Sequence, residues 1–256
     1  ATTSYNTAVG YNALANLSTA QYNTAVGYHA GYAITTGANN TLLGQGAGDE
    51  ITDGAYNTCL GFQTMTHDRN TNGNRNTVIG SFADTSSTNS DDQIILGYNV
   101  IGTGNNAFTF GKDGTDSNID FGATSITAPS DERYKEEITT STAGLSFIND
   151  LRPVTFKWKK EKDIPSDHRA YVADSDTRVM GRGEKIQHGF IAQEVKTVID
   201  NHSEIKDGFN MWSTDSNDGR QRLAPSELVP MLTKAIQELS AKNDALEART
   251  KTLEDA

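Results

Sequence analysis

Cysteine occurs once in the 256 residues, at Cys59, so no disulfide can form within the chain and its stability must come from burial or assembly. Cys59 occupies a repeat slot held elsewhere by Ala8, Ala25, Leu42 and Val78, and reads as a small buried apolar residue rather than a nucleophile. Proline is absent before Pro129, although 17 of the 23 glycines fall in that stretch. No apolar run approaches the roughly 18 residues of a membrane-spanning helix, which excludes membrane insertion by that route. The first residues lack the charged and apolar regions of a secretion signal. Basic residues are scarce early: residues 1–129 carry 3 Lys and Arg against 10 Asp and Glu, a net of −7, while residues 130–256 hold 19 against 23. Phosphate backbones require clustered cations, so nucleic acid is not an expected partner, and the short run Lys157–Lys162 reads as a solvated strand end. No glycine-rich phosphate loop follows a strand, and His29, His67, His168, His188 and His202 show no metal-ligand spacing. Neither a cofactor nor a metal is expected.

What is present instead is a repeat. "NTAVG" at Asn6 recurs as "NTAVG" at Asn23, "NTLLG" at Asn40, "NTCLG" at Asn57 and "NTVIG" at Asn76. The first four begin 17 residues apart and the fifth follows after 19, with a degenerate "QIILG" ending at Gly97. Three residues beyond the glycines stand Ala13, Ala30, Ala47, Thr64 and Ala83, so the corner after each strand is kept small. A fixed period with one short apolar strand per repeat predicts stacked β-coils, a β-solenoid or β-roll. The paired apolar residues, such as Leu42 and Leu43, are adjacent and so point to opposite faces. One face can fill the coil, and the other needs a second layer, most simply an identical chain. The repeated Asn reads as a turn residue tolerant of left-handed backbone, with Asn ladders between rungs as a further role. Tyr5, Tyr11, Tyr22, Tyr28, Tyr32 and Tyr56 recur mostly in register, which favours packing over a sugar-binding surface. These repeats, over about residues 5–97, are similar to the head repeats of trimeric bacterial adhesins and to repeats of phage tail fibres. Residues 98–129 lose the period and are expected to taper the fibre.

At "APSDERYKEEI" the text changes. Spacing alone predicts a helix start, with Pro129 ending the extended segment, Ser130 as N-cap, and Asp131 and Glu132 at the positive end of the dipole. A serine–lysine pair is the alternative chemistry. On a regular helix, however, Ser130 and Lys135 would sit about 140° apart, so they can meet only across a turn, a non-helical bend or between chains.

"SDERYKEEI", then "GLSFINDLRPVTFKWKK", "HGFIAQEV" and "SELVPMLTKAIQEL" together resemble the S74 peptidase, or intramolecular chaperone, domain of phage tail fibres and endosialidase tailspikes. The resemblance spans Ser130 to about Leu239. The family pattern Ser-Asp-x-x-x-Lys falls on Ser130, Asp131 and Lys135, with Tyr134 where leucine is common. It implies a domain that trimerises the fibre, folds the β-structure before it, and then cuts the Pro129–Ser130 bond. Ser130 would be the nucleophile, Lys135 the general base and Asp131 a supporting motif residue. The resemblance implies a single-turnover self-cleaving endopeptidase without an external substrate.

In the rest of that half, Val154, Phe156 and Trp158 alternate as on a half-buried strand. Phe190, Ile191, Val195 and Val198 follow helical spacing, with Gln193 and Glu194 in solvent-facing or packing roles. Leu232, Leu239, Leu246 and Leu253 at d, with Val229, Ile236, Asn243 and Thr250 at a, make a coiled-coil seam of about four heptads. This a/d pattern slightly favours dimers, so the expectation of a trimer comes from the family resemblance. The fold expected is mixed: a homotrimeric β-solenoid shaft over 1–129, then an α+β chaperone domain over 130–256, with its body at 130–227 and a trimeric coiled coil at 228–256. The chain is expected to be the C-terminal part of a longer virion tail fibre, assembled in the host cytoplasm, whose shaft contacts a host-surface receptor such as a glycan. The competing expectation is a non-cleaving trimeric adhesin that keeps its C-terminal domain.

Overall fold

A computed structural model describes residues 3–66, 72–181, 183–216 and 218–255. The chain divides into two compact units, Ala1–Glu136 and Glu137–Ala256.

The first unit is a β-solenoid of about six turns. β1 (Thr7–Val9), β2 (Thr24–Val26), β3 (Thr41–Leu43), β4 (Thr58–Leu60) and β5 (Thr77–Ile79) each supply three residues and stack in parallel. Register is strict: Ala8 pairs Ala25, Ala25 pairs Leu42, Leu42 pairs Cys59, and Cys59 pairs Val78. β6 (Gln93–Tyr98) continues the stack, so the degenerate "QIILG" is a true rung. From β2 onward the central residue of each strand is sealed in the coil: Ala25, Leu42, Cys59, Val78 and Ile95 are all buried. Leu14, Ile34, Ile51 and Met65 complete that core from the corners, and Ala30, Ala47, Thr64 and Ala83 are buried as their small size requires. The residue after each central one faces outward, and Val9, Leu43, Leu60 and Leu96 remain 41–57% exposed. Half the double-faced burial that the sequence calls for is thus met within one chain.

The repeated asparagines are not the left-handed residues expected of them. Tyr5, Tyr22, Asn39, Tyr56, Arg75 and Asp92, each one position earlier, take φ of 57–62°. The asparagines turn inward and form a ladder. Asn40 Oδ1 accepts the Asn57 backbone N–H at 2.9 Å, and Asn40 Nδ2 donates to Asn23 Oδ1 and to the Gly54 carbonyl. Asn57, Asn76 and finally Gln93 extend the same pattern. Buried amides are tolerated here because each one is matched by the next rung.

Residues 98–129 do more than taper. β7 (Ala107–Lys112) adds a seventh parallel strand, and β8 (Thr115–Asp120) folds back antiparallel through a two-residue Asp113–Gly114 turn. Both turn residues have positive φ, as a tight hairpin of this kind needs. A hairpin ends the ladder without leaving a long parallel edge.

The second unit packs short elements around Phe147. α1 (Leu145–Asp150), β9 (Val154–Phe156) paired with β10 (Gln187–Gly189), α2 (Ala192–Asn201), and the hairpin β11 (Trp212–Thr214) and β12 (Gln221–Leu223) precede α3 (Leu228–Glu254). Val154, Phe156 and Trp158 are half-buried while their neighbours are exposed, the expected alternation. α2 begins at Ala192 with Ile191 as its N-cap, so Phe190 and Ile191 precede the helix, and its buried residues are Val195 and Ile199. Phe147, Val195, Ile199, Met211 and Leu228 form the centre of the core. α3 is a single helix of 27 residues, about 40 Å long. Its start is tied down by Leu228, by Ala235, and by Glu238 Oε2, which accepts the Leu145 N–H at 2.9 Å. Along its predicted seam Val229, Leu232, Ile236, Leu239, Leu246 and Leu253 are all exposed.

Candidate functional site

The junction segment leaves the solenoid just beyond a bridge between Asn118 and Thr127, whose backbones exchange hydrogen bonds of 2.8 and 2.7 Å. No regular helix follows. A single 3-10 turn spans Glu132–Tyr134, and its N-cap is Asp131 rather than Ser130. Asp131 Oδ1 accepts the Arg133 N–H at 2.9 Å, and the Arg133 guanidinium pairs with the same carboxylate. That partner holds the Asp131 carboxyl below its ordinary range.

The short turn has a direct consequence for the serine and lysine. Lys135 closes it in extended conformation, with φ −123° and ψ 141°. Backbone that turns for only three residues and is extended on both sides lets the two side chains reach back over it. Lys135 Nζ lies 2.7 Å from Ser130 Oγ and donates to it. The 140° separation of a regular helix therefore does not apply. Pro129, Ser130 and Lys135 are all exposed.

Other candidates resolve into structural roles. Cys59 is buried, its Sγ 3.1 Å from Met65 Sδ, and burial together with the charge of Asp84 pushes its thiol pKa strongly up. Glu194 pairs with Arg152, with Oε2 2.9 Å from Nε. Gln193 lies on the wall of an apolar cleft of about 620 Å³ floored by Phe156, Trp158, Ile164, Phe190 and Leu223. Tyr5 stacks on Tyr22 at 5.0 Å and Tyr11 on Tyr28 at 5.5 Å, yet all four remain more than half exposed. His29 is stacked between Tyr28 and Tyr32. His202, spaced as no metal ligand, bridges Asp150 Oδ2 at 2.9 Å and Glu204 Oε1 at 2.8 Å. Sequence spacing could not have found that triplet, because Asp150 is 52 residues away. His67 lies outside the described residues. Among the described residues no group of three or more His, Cys, Asp or Glu side chains is placed to hold a metal ion, and no helix is long and apolar enough to cross a membrane.

Residues 130–204 match the peptidase S74 family, described as chaperone of endosialidase, and the chain carries that domain directly after its solenoid. The match starts at Ser130 itself. This combination fits a tail fibre or tailspike with an S74 domain. No curated protein and no solved structure matches the chain.

Proposed function

We propose that this chain is the C-terminal portion of a phage tail fibre or tailspike whose S74 domain assembles three chains, guides folding of the solenoid, and then releases itself by cutting the Pro129–Ser130 bond. The mature shaft then serves host attachment, in the virion, after assembly in the host cytoplasm. The observation that carries the chemistry is the 2.7 Å contact between Ser130 Oγ and Lys135 Nζ at the first residue of the S74 segment.

The reaction begins when neutral Lys135 accepts the Ser130 Oγ proton. Oγ bonds to the Pro129 carbonyl carbon, the C–N bond to Ser130 breaks, and the departing nitrogen takes the proton from Lys135. Water then hydrolyses the resulting ester, leaving a Pro129 carboxylate and a free Ser130 hydroxyl and amine. In the hydrogen bond present, Lys135 donates; catalysis requires the reverse, with Oγ–H donating to the amine. Asp131 and Arg133 hold the turn that keeps the pair together.

The order has a kinetic logic. Non-local pairing of strands from successive rungs is slow and leaves edges exposed meanwhile, so a rapidly folding helical trimeriser that holds the chains together first limits their misassociation. The seam along α3 is suited to this as a coiled coil. Removing the trimeriser afterwards makes the folded shaft hard to reverse.

Wild type, Ser130→Ala and Lys135→Ala compared on denaturing gels, with the new N-terminus identified by mass spectrometry, test the proposal. Two fragments of nearly equal size from wild type alone, one of them beginning at Ser130, are expected. One intact band from all three would overturn autoproteolysis and leave a trimeric adhesin that retains its C-terminal domain.

A further inference from the structure

The Pro129–Ser130 bond lies between two tethers. On its C-terminal side Asp131 caps the Glu132–Tyr134 turn, and Lys135 reaches back to Ser130 Oγ at 2.7 Å. On its N-terminal side Thr127 forms an antiparallel bridge with Asn118 of β8. The Asn118 N–H donates to the Thr127 carbonyl at 2.8 Å, and the Thr127 N–H donates to the Asn118 carbonyl at 2.7 Å. Thr127 Oγ1 donates to that same Asn118 carbonyl at 3.0 Å. Asn118 is itself pinned. Its Oδ1 accepts the hydroxyls of Thr103 at 2.7 Å and Thr109 at 3.1 Å, and its Nδ2 donates to Asp120 Oδ1 at 2.9 Å. Residues 121–130 are all exposed, so hydrogen bonds rather than burial fix where this segment runs.

Only Ala128 and Pro129 separate the bridge from Ser130, and both are stiff. The proline ring fixes φ at residue 129, and its Cδ confines Ala128 to extended backbone. A position fixed at Thr127 is therefore carried to the Pro129 carbonyl with little freedom left. We infer that the Thr127–Asn118 bridge orients the Pro129 carbonyl for attack by Ser130 Oγ. Without the bridge, nine exposed residues, 121–129, join β8 to Ser130, and the carbonyl samples many orientations. Attack needs alignment as well as proximity, and a misplacement of about 1 Å can cost on the order of 100-fold in rate. Thr127 and Asn118 act through Pro129, so they are positioning residues and not catalytic ones. The inference rests on the autoproteolysis proposed above and adds what orients the bond that is cut.

Three variants of the full chain test it. Thr127→Pro removes the N–H that donates to Asn118, whereas Thr127→Val keeps both backbone bonds and loses only the hydroxyl. Two glycines inserted between Thr127 and Ala128 leave the bridge in place and uncouple it from the carbonyl. Chains made by cell-free translation, stopped with an inhibitor and sampled over time on denaturing gels, give the first-order rate of cleavage. Thr127→Pro and the insertion are each expected to cleave at least about tenfold more slowly than wild type, and Thr127→Val at nearly the wild-type rate. The slowing is expected at every pH from 6 to 9 with the shape of the profile unchanged, because the Ser130–Lys135 pair is untouched. Ser130→Ala chains with and without Thr127→Pro are expected to melt at the same temperature. A wild-type rate from Thr127→Pro or from the insertion, a shifted pH profile, or a lowered melting temperature would overturn the positioning role and leave autoproteolysis standing. A wild-type chain that never cleaves would overturn autoproteolysis and this inference with it.

Discussion

The Asn40 carboxamide oxygen accepts the backbone N–H of Asn57 on the next rung at 2.9 Å, inside a coil where both residues are fully buried. Its amide group donates to Asn23 Oδ1 at 3.0 Å and to the Gly54 carbonyl at 2.9 Å. Asn40→Ala leaves the Asn57 N–H and the Gly54 carbonyl without these partners, while Asn23 Oδ1 keeps the backbone N–H of residue 40. At about 1–3 kcal/mol for each buried group stranded, the substitution is expected to destabilise the solenoid by at least about 2 kcal/mol. Asn40→Asp keeps the acceptor but loses the donor and adds a buried charge, and is expected to be no better. Denaturant unfolding of the cleavage-inactive chain reads this directly; a change below about 0.5 kcal/mol for Asn40→Ala would show that the ladder does not hold the rungs together.

Glycine ends each rung for a reason that a second substitution exposes. Gly80 has φ +128°, and a Cβ there would lie 1.9 Å from the Gly97 carbonyl oxygen of the neighbouring rung. Backbone strain contributes about 1–3 kcal/mol, and the clash falls on main chain that cannot swing aside. Gly80→Ala is expected to destabilise by more than about 2 kcal/mol, whereas Gly104→Ala, with open space around it, is expected to have little effect. Equal melting temperatures for the two variants would contradict the close stacking of glycines.

These two columns explain how much of the solenoid was legible. Inward residues and glycines must repeat because each rung meets its own equivalent, so period and strand position stood in the text. The left-handed residue did not, since it is tyrosine at three rungs, and a bulky side chain with positive φ defies local preference. Ser130 and Lys135 were visible as a motif, but their contact depends on a helix stopping after three residues, which no spacing rule signals. The Asp150–His202–Glu204 bridge is non-local and left no trace in the sequence at all.

Cys59 gives a probe of rung opening. It is 1% exposed, and burial raises its thiol pKa, so neither access nor thiolate character favours reaction. Native protein is expected to resist maleimide labelling for as long as the solenoid stays closed, and to react fully once unfolded. Asn40→Ala is expected to speed the native reaction by loosening the rung that pairs with Cys59. Labelling of native wild type at the rate of a free exposed thiol would place Cys59 outside a sealed coil.

The chaperone unit has a pH response with a definite sign. His202 is buried against the edge of Phe147 at 5.3 Å and sits between Glu204 and Asp150, and these carboxylates raise its pKa above 6.5. A group whose folded pKa is raised stabilises fully below its unfolded value, and that contribution is lost as pH rises through the folded value. Glu204 is held below its ordinary 4.5 by His202, so its share is present above that value and is lost as pH falls through the lowered one. The bridge is therefore strongest between the two, in mildly acidic solution, and weakens toward alkaline pH. His202→Gln removes the imidazolium and is expected to lower stability near pH 6 by about 1–2 kcal/mol. The gap between the variant and wild type is expected to narrow as pH rises through the raised His202 value. Thermal melts of Ser130→Ala and of Ser130→Ala with His202→Gln across pH 5 to 9 measure this gap, and a gap that stays constant over the range would show that the charge on His202 does not contribute.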